Sequence, residues 1–397
     1  MITAAEAKTI ILDAVRTLPA TTVSLERSQG YVLAETVVAN EAIPPFDNAQ
    51  MDGYAVRSED VQIIPVVLKI VGEIAAGAVA AQPLRQGEAI SIMTGAKIPA
   101  GCDTVVQQEW TERQENSIKL LRSVQAGHNI RTAGADISSG STVFTPGQSL
   151  RPQEIGVLAS LGKQFVTVYP SVSVAILPTG NEIIEIDKPL REGTIRNSNA
   201  YTLAGLVREL GGEAKRLEIA GDEQTELRRK LLDGITADVL ITTGGVSVGK
   251  YDIVMETLKE IGVEIKFWKV NIKPGMPLLF GMFGATPVFG LPGNPVSTMV
   301  TFLQFVKPAL MKMMGHDMAR TSLKLYAVVE QEMKKSDGKR HYVRGIVREK
   351  NGVLAVRSTG PQVSNILSSL AKANCLIIIP EDKELLQAGE QVEIELL

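Results

Sequence analysis

The segment Leu240-Ile-Thr-Thr-Gly-Gly-Val-Ser-Val-Gly-Lys-Tyr-Asp252 carries the strongest chemical signal in this chain. A short apolar run ends in Gly244 and Gly245, followed by Ser247, Gly249 and the acid Asp252. Glycine tolerates positive φ and lets backbone come close to a ligand. A strand that ends in such a turn and leads into a helix leaves N–H groups facing outward, suited to an anion. Gly244, Gly249 and Lys250 keep the G-x-x-x-x-G-K spacing of a nucleotide-binding loop. Tyr251 breaks that motif, because a Ser or Thr is needed there to hold magnesium. The turn is expected to hold an oxyanion in another way.

Other chemistry-bearing residues gather around it. Glu182 follows the turn Thr179-Gly180, Asp222 lies in Ala220-Gly-Asp-Glu, and Asp252 closes the glycine-rich loop. Three carboxylates on one sheet edge suit magnesium, which favours oxygen ligands and bridges to phosphates. Each serves equally well as a solvated loop acid, and Asp252 as a helix N-cap. On an extended segment Lys269 and Lys273 point to the same side and face one anion. Exposed strand lysines are also often merely solvated. In Phe289-Gly-Leu-Pro-Gly-Asn-Pro-Val-Ser297, Pro292, Gly293 and Pro295 fix an unusual path before a helix. That path reads either as a rigid ligand wall or as a tight strand-to-helix connection. Met51-Asp-Gly-Tyr puts the acid Asp52 before a turn, and Ser91-Ile-Met-Thr-Gly-Ala puts a hydroxyl at a strand end. The three histidines, His128, His316 and His341, show neither triad nor metal-ligand spacing and read as surface or core residues.

These residues need elements to position them. Thr3 and Glu6 form a capping-box pattern ahead of a helix over about 3–17. From 65 to 150, short β-branched runs (Val66–Val71, Ala89–Met93, Thr104–Gln108, Ser117–Leu121) alternate with turn residues and predict a β-rich module. From Pro170 onward, strands at Val172–Leu177, Arg216–Ala220 and Val239–Thr242 alternate with helices at Asn199–Leu210, Gln224–Gly234 and Asp252–Ile261. That order predicts a mostly parallel sheet between two helical layers, with ligands at the carboxyl ends of strands. Thr298–Met314 reads as a further helix. Beyond about 318, Lys324–Glu330, Tyr342–Arg348, Val353–Arg357, Asn374–Ile379 and Val392–Glu395 read as strands of a small barrel or sandwich.

Composition agrees with a multidomain globular protein. The chain has 397 residues, 45% apolar and 21% charged, enough for two to four domains. A formal charge of −3 argues against a nucleic-acid partner. Two distant cysteines, Cys102 and Cys375, indicate neither a disulfide framework nor a zinc knuckle, and suit a reduced cytoplasmic setting. No signal peptide and no apolar run of ~20 residues is visible, so no membrane partner is expected.

Five segments in order resemble the molybdopterin molybdenumtransferase family, of the MoeA and gephyrin E-domain type. They are Pro45-Phe-Asp-Asn-Ala-Gln-Met-Asp-Gly-Tyr-Ala, Met93-Thr-Gly-Ala-Lys-Ile-Pro, Thr242-Thr-Gly-Gly-Val-Ser-Val-Gly, Asn271-Ile-Lys-Pro-Gly and Gly290-Leu-Pro-Gly-Asn-Pro-Val-Ser. The resemblance implies an elongated multidomain α/β and β subunit in a homodimer. Its parts are an N-terminal helical region (1–170) interrupted by a β-domain (about 55–135), a three-layer α/β molybdopterin-binding domain (171–317) and a C-terminal β-barrel (318–397). It implies insertion of molybdate into adenylylated molybdopterin with release of AMP, assisted by Mg2+. It also implies partnership with molybdopterin adenylyltransferase and other cofactor-assembly proteins. Carried over residue by residue, it implies catalytic roles for Asp52, Thr94, Asp136, Lys269 and Lys273. Gly244, Gly245, Ser247, Gly249, Pro292, Gly293, Pro295, Arg344 and Ser364 would bind the pterin, and Glu182, Asp222 and Asp252 the metal. N-terminal residues would complete the partner subunit's site. The chain departs from the family at Met276, where Lys is common, at Asn181, where Asp is usual, and in the Ala-Gln before Met51. Rival readings are adenylylation of molybdopterin by ATP, typical of a small relative with Gly-Gly-Thr-Gly, and a non-catalytic dimeric scaffold.

Overall fold

A computed structural model describes residues 1–245, 253–317 and 324–397. The first helix, Ala4–Ala14, begins as its sequence dictates. Thr3 and Glu6 form a reciprocal capping box, and Val15 then turns extended, earlier than the expected end at 17. Ala7, Ile11 and Val15 do not build a separate N-terminal core. They enter a cluster with Val270, Phe305 and Leu310, so the start of the chain is packed into the α/β layer. Leu18 N–H donates to the Met313 carbonyl at 2.8 Å, and Lys312 Nζ to the Leu12 carbonyl at 2.5 Å.

The β-rich module is a six-stranded sheet in the order 104–107, 53–56, 88–92, 66–74, 117–120, 111–114. Strand alternation sends Tyr54 and Val56 into one cluster and Ala55 into another on the opposite face.

The α/β layer has six strands in the order 213–216, 173–178, 239–243, 286–291, 279–283, 264–268. The first four run parallel, and the last two are antiparallel additions. Val174 and Ile176 face helix Asn199–Glu209, while Ala175 and Leu177 face helices Gln224–Gly234 and Ile253–Glu260. The expected three layers are present.

Two elements differ from expectation. The strand expected at Arg216–Ala220 lies at Glu213–Arg216 instead. Gly211, at φ 83°, ends the preceding helix and lets the chain enter the sheet at once. The later segment touches the sheet only at single points, where the Leu217 amide donates to the Ile176 carbonyl at 2.9 Å and Ala220 bridges to Thr179. The helix expected from Thr298 begins at Pro295, and is broken by a π-helical turn at Phe302–Val306 before continuing as Lys307–Met313. Pro308 lacks an N–H and crowds the preceding turn, and a wider turn relieves that conflict.

The C-terminal strands close a ring of five in the order 340–350, 353–358, 325–329, 391–396, 375–379, with the last pairing back to the first. A two-residue strand, Ile272–Lys273, leaves the α/β layer to pair in parallel with Arg340 and His341 of this barrel. No helix among the described residues is long and apolar enough to cross a membrane.

Candidate functional site

The carboxyl ends of the parallel strands form one edge, where Pro178, Thr179, Thr243, Gly244 and the loop after Leu291 meet. Thr179 binds the Thr243 carbonyl through its amide at 3.0 Å and its hydroxyl at 3.2 Å, which locks the first two turns together. Gly244 (φ 94°) and Gly245 (φ 65°) adopt left-handed backbone, and neither has room for a side chain. A Cβ on Gly244 would come within 2.7 Å of the Thr179 carbonyl oxygen, and one on Gly245 within 2.3 Å of Val254 Cγ2. The Gly244 amide is already spent on the Leu291 carbonyl at 3.1 Å. An anion on this floor therefore finds no free donor at Gly244. Ser247, Gly249, Lys250, Tyr251 and Asp252 lie outside the described residues.

The proline loop supplies a rigid wall. Thr298 Oγ1 donates to the Pro292 carbonyl at 2.5 Å, and Asn199 Nδ2 to the Gly293 carbonyl at 2.8 Å. Pro292, Gly293 and Pro295 line a cavity of about 600 Å³ together with Glu182, Gly244 and Gly245. Pro277, Pro292 and Asn294 border it and also a second cavity of about 810 Å³, so the two are lobes of one cleft. The second lobe lies between the α/β layer and the barrel. It is lined by Lys273, Lys334, Lys339, His341 and Ser364.

The acids divide between places. Glu182 folds back over Gly180, its Oε2 only 2.5 Å from where a Cβ would stand. Asn181 Oδ1 accepts the Asp222 amide at 3.1 Å, tying the two loops. The oxygen that binds is one Asn and Asp share, so the departure at Asn181 leaves this tie intact. Glu182 and Asp222 are all-oxygen donors of the kind magnesium takes. Among the described residues, no group of three or more His, Cys, Asp or Glu side chains is arranged to hold a metal.

The lysines do not share a face. Lys269 has φ 72°, which breaks the extended path that sequence spacing assumed. Its ammonium sits 3.8 Å from the centre of the Trp268 ring, and it lines neither lobe. Lys273 Nζ donates instead to Asp337 Oδ2 at 3.2 Å. Arg344 is fully buried rather than presented to the cleft. Its Nη2 donates to the Pro361 and Val363 carbonyls at 3.1 and 3.2 Å, shaping the loop that carries Ser364. Burial lowers its pKa, and its Nε and Nη1 have no hydrogen-bond partner among the described residues.

Asp52 and Thr94 are joined on the six-stranded sheet, where Thr94 donates both amide and hydroxyl to Asp52 Oδ1. Asp136 is exposed on a separate loop, its amide bound to the Ile43 carbonyl at 3.0 Å. None of these three lines either lobe of the cleft.

Sequence reasoning passed over Asp337, Lys339 and Asn294, and it read His341 as an ordinary histidine. His341 Nε2 bonds Asp337 Oδ1 at 2.7 Å at the edge of the second lobe. The available signal was the turn Asp337-Gly338 immediately before a β-branched strand, which nothing in the α/β segment connects to the cleft.

Known families match this chain in three consecutive blocks. The MoeA N-terminal region (domain I and II) matches residues 2–162, a probable molybdopterin binding domain residues 175–312, and the MoeA C-terminal region (domain IV) residues 326–397. The molybdopterin molybdenumtransferase of Haemophilus influenzae is 36% identical over 375 residues, covering 94% of this chain and 92% of that protein. Molybdopterin molybdenumtransferase 2 of Mycobacterium tuberculosis is 36% identical over 401 residues, covering 98% of each. The crystal structure of the molybdopterin biosynthesis moeA protein from Pyrococcus horikoshii OT3 superposes with a TM-score of 0.87 at 33% identity, covering 100% of both chains. The cleft between α/β layer and barrel thus sits in a fold shared from end to end with these relatives, and the chain belongs to the molybdopterin molybdenumtransferase (MoeA) family.

Proposed function

We propose that this chain transfers molybdenum from molybdate to the dithiolene of adenylylated molybdopterin, with release of AMP. The observation that carries this reading is the two-lobed cleft. A glycine-floored lobe at the strand ends opens into a lobe lined by lysines. A substrate that carries a phosphoanhydride and a metal-accepting dithiolene as separate groups suits such adjoining compartments. Gly245 and the residues after it would hold the phosphate through backbone amides, as helix-leading turns do. Lys273, with Lys269 nearby in the chain, would neutralise the oxyanion. The wall of Pro292, Gly293 and Pro295 and the loop bearing Ser364 would border the pterin, with Arg344 shaping that loop from behind.

Glu182, Asp222 and Asp252 would supply oxygen ligands to Mg2+, which would offset charge on the phosphoanhydride. Asp52, Thr94 and Asp136 are assigned to the cleft of a partner subunit in a homodimer, since they line neither lobe of their own. The proposal divides the chain at about 170 and 317, with the β-insert at about 55–135. It sets the reaction in the cytoplasm, downstream of the adenylyltransferase that makes the substrate.

The test is reconstitution. Purified protein supplied with adenylylated molybdopterin, Mg2+ and molybdate should release AMP only when molybdate is added. Molybdate-independent or absent AMP release would sink the reading. Supplied instead with ATP and molybdopterin, the protein should form no adenylylated product; its appearance would move the assignment to the earlier step.

A further inference from the structure

Glu332 lines the second lobe paired to Lys334 at 2.9 Å, and a further carboxylate with no assigned role stands just behind the lobe. Asp337 does not line the lobe itself, but both its oxygens are occupied by residues that do. Oδ2 accepts from Lys273 Nζ at 3.2 Å, and Oδ1 meets His341 Nε2 at 2.7 Å. The Lys339 amide lies 3.4 Å from the same Oδ1.

The loop presenting Asp337 is braced from beneath. Lys335, only 8% exposed, donates to the Lys339 carbonyl at 2.6 Å and to the Glu381 carbonyl at 2.9 Å. Asn271 Nδ2 donates to the Gly338 carbonyl at 3.0 Å. The parallel pairing of Ile272 with Arg340 and of Lys273 with His341 then sets the backbone register between lysine and carboxylate. An ordinary exposed ion pair contributes little, because both side chains remain free to wander. Here one partner is fixed by a histidine, an amide and a buried lysine, while the other is a long side chain 58% exposed. A lysine ammonium has three donors, so one spent on Asp337 leaves two for a ligand.

We propose that Asp337 is a positioning residue for Lys273 in the insertion reaction, tethering the ammonium from behind so that its free protons face the oxyanion lobe. This rests on the functional reading above. His341 completes the device by holding the carboxylate, and Lys339 adds a second cation to the same lobe. Its ammonium is 3.7 Å from Met276 Sδ, with no carboxylate in ion-pair range among the described residues.

The experiment measures AMP release against molybdate concentration in the full-length protein. Asp337→Ala should raise the molybdate KM about tenfold, the factor expected from freeing one long side chain, with kcat changed much less. In a Lys273→Ala background the same change should shift KM by less than about twofold, because the two residues act as a unit. Asp337→Asn keeps the size of the side chain and supplies the same comparison should alanine loosen the loop. Nitrogen NMR of His341 should show loss of the Nε2–H tautomer preference in Asp337→Ala. An unchanged or lowered molybdate KM in folded Asp337→Ala and Asp337→Asn proteins would overturn the proposal, since the carboxylate would then be a bystander or a competitor. A defect in Lys273→Ala with both Asp337 variants silent defeats the positioning role alone. AMP release that ignores Lys273→Ala defeats the reading of the cleft, and the positioning role with it.

Discussion

Thr94 donates two hydrogen bonds to a single oxygen of Asp52, one from its hydroxyl and one from its amide, each at 2.7 Å. The antiparallel pairing of Gly53 with Ile92 carries these residues together from distant points of the chain. The hydroxyl bond, followed by the amide bond, holds Asp52 below the ordinary carboxylate range. The acid is thereby kept ionised and aimed in one direction, although it is exposed to solvent.

Replacing Thr94 by Val removes the hydroxyl donor and keeps the amide. The Asp52 titration midpoint should then rise toward its ordinary value of 3.8, as followed by carboxyl NMR. In the unaltered protein the folded midpoint lies below the unfolded one. Its contribution to stability is therefore present above the unfolded value and lost as pH falls through the folded value. A midpoint that stays put in Thr94→Val would remove the hydroxyl as the cause.

Gly245 offers a steric test. Its φ is +65°, and a Cβ there would lie 2.3 Å from Val254 Cγ2. Gly245→Ala should cost about 1–3 kcal/mol in denaturant unfolding, through strain and overpacking together. Molybdate-dependent AMP release should fall with it, since Gly245 lines the floor of the first lobe. Gly72, where a Cβ meets nothing within 4 Å and φ is not positive, is the control that should accept Ala with little change.

Arg344 is expected to act through the loop it holds. Arg344→Ala removes a large buried side chain and leaves the Pro361 and Val363 carbonyls without their donor. The cavity and the unpaired groups together should cost about 2–5 kcal/mol. Arg344→Lys should recover volume but not both carbonyl bonds, and should therefore fall between. Thermal unfolding of both variants checks the order, and equal Tm values for Lys and Ala would contradict it.

Asp337 gives an acid-range prediction. Burial works to raise its pKa, but the bonds from His341 and Lys273 prevail and hold it down to about 2. The folded value lies below the unfolded one, so the bridge contributes in full above about pH 3.8 and is lost as pH falls through about 2. The stability difference between the parent and Asp337→Asn should accordingly be steady above that window and close within it. A difference that instead changes on the acid side of 6.5 but well above the carboxylate window would assign the effect to His341, whose burial lowers its own pKa.

How much the sequence disclosed depended on the range of each signal. Local rules were readable: the Thr3–Glu6 capping box and the helix Gln224–Gly234 formed where side-chain chemistry and periodicity placed them, and the strand expected at Val239–Thr242 runs one residue further, to Thr243. Gly244 and Gly245 were legible because positive φ leaves its mark in residue type. The lysine pair was not, since the period-two rule holds only along continuous extended backbone and Lys269 turns left-handed. The Lys273–Asp337–His341 bridge was invisible for a different reason. Its partners come from separate layers, and only the pairing of Ile272–Lys273 with the barrel strand brings them into range. Likewise Arg344 was found by motif but its burial was not, because a strand position alone does not tell which face a closed barrel covers.

The first helix has a consequence for how such a protein is taken apart. Its Ala7, Ile11 and Val15 fill the face formed by Val270, Phe305 and Leu310, across the whole length of the β-insert in sequence. A fragment cut out at the edges of the α/β layer would keep the glycine turns and lose this cover, exposing an apolar face that invites aggregation. Order along the chain and order in space part company at this point. The cleft-bearing layer is not a detachable cassette, and any rearrangement that moves it must carry Ala4–Ala14 along.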